Sequence, residues 1–156
     1  MFEARIVNNP TRSKLNPWLW VILWMFVIFL FSTNTFSGSN TSKIIGPLLK
    51  WIVPEITNES ISIIQLGLRK TAHIIEYAIL ALLICNALAR GSINFSSASL
   101  IIRSVFISFV YAVCDEWHQS WTPDRVGSLI DVLVDSVGAF FGSLCFLWLS
   151  NNNKKA

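Results

Sequence analysis

Four apolar runs of roughly bilayer length constrain this chain more than any other feature. They cover residues 17–31, about 66–89, about 99–118 and about 128–149. An α-helix rises about 1.5 Å per residue, so ~20 residues cross ~30 Å of hydrocarbon. Apolar residues make up 53% of the 156, and charged residues 13%, about half the ~25% usual in soluble domains. A soluble domain of this size has no interior large enough for that apolar surface. The composition equally excludes a disordered, collagenous, coiled-coil or small disulfide-rich chain. The runs predict an all-α integral membrane protein, an antiparallel bundle of four transmembrane helices whose short connections make successive helices neighbours.

The chain divides into an N-terminal tail with the first transmembrane helix (1–36), an extracytoplasmic loop (37–65), a three-helix region (66–150) and a cytoplasmic tail (151–156). The first run follows Arg5, Arg12 and Lys14, as a signal peptide would. It is longer than a signal-peptide core, rich in Trp, and lacks a small-x-small cleavage site before Ser37, so it reads as a retained helix. In the loop, Ile44, Ile45, Leu48, Leu49, Trp51 and Ile52 fit either a short helix lying on the membrane surface or a plain hydrophobic loop. Seven basic residues near the span ends share the N-terminal side (Arg5, Arg12, Lys14, Arg90, Arg103, Lys154, Lys155), against five opposite (Lys43, Lys50, Arg69, Lys70, Arg125). That bias places both termini in the cytoplasm. The net charge of +3 comes without any Lys/Arg block, which argues against nucleic acid as a partner. Cys85, Cys114 and Cys145 each fall inside an apolar segment with no CxxC spacing, and read as free, buried packing residues.

The polar residues are the informative remainder. In an antiparallel bundle the start of span two, the end of span three and the start of span four meet on one membrane side. Those ends carry Lys70, His73, Glu76 and Tyr77, then Asp115, Glu116, His118 and Gln119, then Asp131 and Asp135, with Asp124 and Arg125 in the intervening turn. At about 100° per residue, the first four lie within an arc of about 120°. Ser104, Ser108, Tyr111, Asp115, His118 and Gln119 share an arc of about 100°, as do Ser128, Asp131, Asp135, Gly138, Gly142 and Cys145. An ionised carboxylate facing lipid near mid-membrane costs at least ~2.5 kcal/mol, so the stripes face one another, line a wet cavity, or lie shallow at headgroup depth. Gly138 and Gly142, four apart, let a neighbouring backbone approach closely.

Each candidate has two readings. His73 is either a proton carrier, with an ordinary pKa of ~6.5, or a helix-to-helix hydrogen-bond partner of Asp115 or Asp135. Asp115 and Glu116 are either an acid/base pair or part of a structural ion network. Neighbours on a helix point about 100° apart, so Asp115, aligned with the stripe, is the better candidate, and Glu116 is free to pair with Arg125 or Lys70. Lys70 and Arg125 either grip an anionic group or neutralise the acids and snorkel. Trp117 and Trp121 read as interfacial belt aromatics. His73, His118, Asp115, Glu116, Asp131 and Asp135 offer nitrogen and oxygen ligands, but no HExxH or other short ligand motif is present, so neither a metal nor any cofactor is assigned. Three N-x-S/T triplets read as chance, and no G-x-S-x-G supports a serine hydrolase.

The pattern Lys70-x-x-His73-x-x-x-Tyr77, then Asp115-Glu116-x-x-Gln119-x-x-x-Pro123-x-Arg125, then Asp131-x-x-x-Asp135-x-x-Gly138-x-x-x-Gly142 resembles the VanZ-like family. The resemblance covers about residues 66–149, and the stretch from Asp115 to Arg125 is its specific part. Members often carry Gly between the Pro and the Arg, where this chain has Asp124. It implies a small bacterial membrane protein, in a family whose founding member is linked to modest resistance to the lipoglycopeptide teicoplanin; it implies no reaction.

The leading functional expectation is a pocket that binds a polar or anionic headgroup of a cell-envelope lipid or precursor and thereby alters lipoglycopeptide action. Lys70 and Arg125 would hold the anion, while His73, Tyr77, Asp115, Gln119, Asp131 and Asp135 shape the site. A second expectation is an intramembrane enzyme in which His73, Asp115 and Glu116 are catalytic on a lipid-linked substrate. A third is a small proton-coupled carrier, for which four spans are few unless the protein forms a homodimer.

Overall fold

The computed structural model describes residues 16–33, 38–91, 93–121 and 127–153. These residues are all-helical, with five helices and no strand among them: α1 (Pro17–Phe31), α2 (Gly38–Ile52), α3 (Asn58–Ala89), α4 (Ser97–Gln119) and α5 (Leu129–Asn152).

Local chemistry sets the helix starts. The Asn16 side chain accepts a hydrogen bond from the Trp18 amide at 3.1 Å, with Pro17 at the first helical position, where its missing N–H costs nothing. Thr57 caps α3 through the Ser60 amide at 3.2 Å, and Ser96 caps α4 through the Ser99 amide at 3.3 Å. The Thr57 cap sets the start of the helix that carries span two. The helix begins at Asn58 rather than near Leu66, because Ile61, Ile63 and Ile64 continue its apolar character above the polar residues. Its 32 residues extend about 48 Å, so α3 must tilt or carry its first turns beyond ~30 Å of hydrocarbon. The segment read as surface helix or loop is helical: Ile44, Leu48, Trp51 and Ile52 of α2 form an exposed apolar face. Ser42 ties α2 to α3 by donating to Gln65 Oε1 at 2.8 Å.

α3, α4 and α5 are long and apolar enough to cross a membrane. α1 is apolar throughout, but its 15 residues reach only about 22 Å. It is nonetheless built into the bundle. Val21 and Ile28 are buried against Tyr77, Leu80, Ile84 and Ala87. The Trp24 indole donates to the Glu76 carbonyl at 2.9 Å, and the Tyr111 hydroxyl to the Met25 carbonyl at 2.6 Å.

The tightest crossing joins α3 to α5. A Cβ on Gly138 would strike the Ile74 backbone, and one on Gly142 the Ala78 backbone. The two glycines therefore fix how closely the helices approach, as small residues four apart do in membranes. Large apolar side chains such as Ile102, Phe106, Leu133, Phe141 and Trp148 stay exposed on the outside of the bundle. With three spanning helices inside it, that outer surface makes this a multi-pass membrane protein. The cysteines correct one expectation. Cys85 is buried, but Cys114 and Cys145 are exposed, because the close α3–α5 seam turns the Cys145 edge of its stripe outward.

Candidate functional site

Three helix ends deliver the site. The middle of α3 carries Arg69, Lys70, His73 and Tyr77; the last turns of α4 carry Asp115, Glu116 and Gln119; the first two turns of α5 carry Asp131 and Asp135. Because α5 runs antiparallel to α4 and lies against α3, all three polar stripes converge at one end of the bundle.

The acids sit in two layers. Asp131, in the first turn of α5, receives Lys70 Nζ at 2.5 Å and Arg69 Nη2 at 3.2 Å. Both cationic side chains are more than a third exposed, so their net contribution to stability is modest, on the order of 1 kcal/mol. One turn deeper, Asp135 is fully buried and its Oδ1 lies 3.2 Å from His73 Nδ1. This contact is at ion-pair distance but out of hydrogen-bond alignment, and neither Asp135 oxygen accepts a hydrogen bond among the described residues.

Glu116 closes the triangle. Its Oε2 accepts the Ser128 amide at 2.8 Å, joining the end of α4 to the start of α5. Gly127 allows that approach, since a Cβ there would meet the Glu116 carbonyl. Ligand-capable atoms of His73, Glu116 and Asp135 lie within 4.8 Å of one another.

The expected partners of Glu116 were Arg125 or Lys70. Lys70 is instead committed to Asp131, and Arg125 lies outside the described residues, as does Asp124. The neighbour of His73 from α4 is thus Glu116 more than Asp115. Asp115 Oδ2 accepts from Gln119 Nε2 at 3.0 Å, and the same amide donates to Ser32 Oγ at 2.5 Å, past the end of α1. Tyr77 is fully buried, its ring 6.2 Å from that of Tyr111. His118 leaves the cluster and packs its ring 4.8 Å from Phe29. Trp117 and Trp121 are exposed, edge-to-face at 4.9 Å.

Beside this cluster lies a cleft of about 510 Å³ between α1, α2, α3 and α4. Ile28, Phe31, Ile45 and Leu66 form apolar walls, while Arg69, His73 and Asp115 face the same space. Arg69 and Ser32 were not among the site residues expected from sequence. Arg69 was legible, four residues before His73 on one helix face; Ser32 lies beyond a helix end and had no periodic signal.

The whole arrangement falls inside one family match. The model described as VanZ/LLP1 covers residues 17–150, the first helix included. No curated protein and no solved structure matches the chain. With its motif residues drawn to one end of a membrane bundle and the family match running through α1 to α5, the chain belongs to the VanZ-like family.

Proposed function

We propose that this protein binds a polar or anionic headgroup of a cell-envelope lipid or lipid-linked precursor, and through it alters susceptibility to lipoglycopeptides such as teicoplanin. The observation that carries the reading is the cleft itself. Its apolar walls suit acyl chain, and its polar end offers Arg69, His73 and Asp115 to a headgroup. Clefts with mostly apolar linings and a few converging polar groups are the usual form of small-ligand sites. Arg69 takes the anion-facing role first given to Lys70, since the Lys70 ammonium lies closer to Asp131. The basic residues near the span ends favour cytoplasmic termini in a bacterial cell membrane. With α1 as a fourth crossing, the cleft then opens outward, where envelope precursors and glycopeptides meet.

The test compares teicoplanin susceptibility of bacteria expressing wild type and His73→Gln, with membrane abundance matched by immunoblot. Protection by wild type and its loss in His73→Gln is the expected result. Equal protection, or none from wild type, sinks the reading.

A second reading, an intramembrane enzyme, is favoured by one feature. His73 faces the cleft while Asp135 holds its rear nitrogen at 3.2 Å, the arrangement of a base oriented by a carboxylate. Turnover of a lipid-linked substrate by purified wild type, absent in Asp135→Asn with binding intact, would select it over simple recognition.

A further inference from the structure

We propose that His73, Glu116 and Asp135 form a site for one divalent first-row metal ion, zinc foremost. The inference stands apart from the headgroup reading and does not need it.

The geometry has three parts. One ligand atom from each of α3, α4 and α5 falls within a 4.8 Å set. Glu116 Oε1 and Asp135 Oδ2 are buried without a hydrogen-bond partner among the described residues, His73 Nδ1 and Asp135 Oδ1 meet only in a misaligned 3.2 Å contact, and Glu116 Oε2 is held by the Ser128 amide. Lone pairs left unengaged on three helices and converging on one point are the pattern a cation would satisfy. The 3.2 Å gap between His73 and Asp135 matches adjacent ligands on a metal with bonds of about 2.0–2.2 Å, which sit about 3.0–3.5 Å apart.

Charge supplies the second argument. Glu116 and Asp135 are nine-tenths or more buried, and an uncompensated buried carboxylate costs several kcal/mol. Arg69 and Lys70 pair with Asp131 in the layer above rather than with these two carboxylates. A divalent ion balances the two carboxylates and leaves His73 neutral.

Ligand chemistry narrows the ion. One imidazole and two carboxylates, without a thiolate, suit zinc or a neighbouring first-row metal better than copper(I), and better than calcium or magnesium, which prefer oxygen alone. Three protein ligands leave a coordination position open.

The test uses the full chain, purified without a polyhistidine tag in nanodiscs, stripped by chelator and titrated with Co2+, then Zn2+. We expect one Co2+ per chain, with visible d–d absorption displaced by Zn2+. His73→Gln and Asp135→Asn should each weaken binding at least about tenfold, while Ser104→Ala, far from the trio on α4, changes it less than about threefold. Monodisperse elution and helical circular dichroism qualify each variant. A folded wild type that binds neither ion overturns the proposal, as does binding that survives both His73→Gln and Asp135→Asn. Should those variants fail to fold, X-ray absorption of the Co2+-loaded wild type decides. A nitrogen/oxygen shell with one imidazole supports the site; a shell with none, or with sulfur, refutes it.

Discussion

The two ends of the α3–α4–α5 unit both bury polar groups, but in opposite manners. At the end where α3 finishes and α4 begins, Cys85 Sγ donates to Ser104 Oγ at 3.2 Å, and the Ser104 and Ser143 hydroxyls share a hydrogen bond of 2.8 Å. The Ile101 carbonyl lies 3.0 Å from Ser104 Oγ and the Ala139 carbonyl 2.8 Å from Ser143 Oγ, so whichever hydroxyl donates across the seam, the other donates within its own helix. This layer is neutral, small and closed on itself. At the other end Tyr77, Glu116 and Asp135 keep buried atoms with no partner among the described residues. A layer whose task is to align helices satisfies its own polar groups. One that leaves ionisable atoms open bears a desolvation cost that packing does not explain. The difference gives the serine layer the task of aligning helices and fits the binding role proposed for the acidic one.

That contrast breaks most readily at the glycine seam between the two layers. Gly142→Ala places a Cβ on the Ala78 backbone, forces α3 and α5 apart, and should lower stability by about 1–3 kcal/mol in detergent-denaturation curves. A variant as stable as wild type would mean that the seam is looser than its geometry. Next come the serines. Ser104→Ala and Ser143→Ala should each cost about 0.5–1.5 kcal/mol. Because they share one bond, the double variant should cost less than the sum; strict additivity would show that the layer is not a unit.

Smaller effects belong to the acidic end. Lys70→Met leaves Arg69 on Asp131, so its unfolding free energy should fall by no more than about 1 kcal/mol. A larger loss would make the Lys70 pair structural. Asp135→Asn removes a buried charge together with its 3.2 Å contact to His73; relief of desolvation and loss of the ion pair oppose one another, so stability should change least, by under about 1 kcal/mol. The same variant should abolish teicoplanin protection in cells at matched abundance. Retained protection with collapsed stability would invert the comparison and place Asp135 with the serine layer.

Much of the site is legible in the residue order. Helix periodicity alone aligns Asp131, Asp135, Gly138 and Gly142 on one stripe, and all four are buried as that stripe requires. Gln119 and Asp115 likewise share a face and a hydrogen bond at 3.0 Å. Periodicity is blind where contact depends on rotation between helices. It favours Asp115 over Glu116 as the α4 acid of the site, whereas it is a Glu116 atom that lies within 4.8 Å of the His73 and Asp135 ligand atoms. It groups His118 with the acids, though this ring meets Phe29 on α1. It counts Cys145 as buried because a 100° stripe is wider than the seam that covers it.

What the sequence determined by itself is the class of solvent and the end of the bundle where polar chemistry collects. Apolar run length answers to the thickness of hydrocarbon, and the one-sided placement of acids, histidines and cations comes from chain order in an antiparallel bundle. Only the tertiary structure decided who meets whom: Lys70 and Arg69 on Asp131, His73 on Asp135, Glu116 on the Ser128 amide. Those pairings depend on the rotation and depth of each helix against its neighbours. The contact of Gly138 and Gly142 with the α3 backbone sets both, and no single helix contains that information.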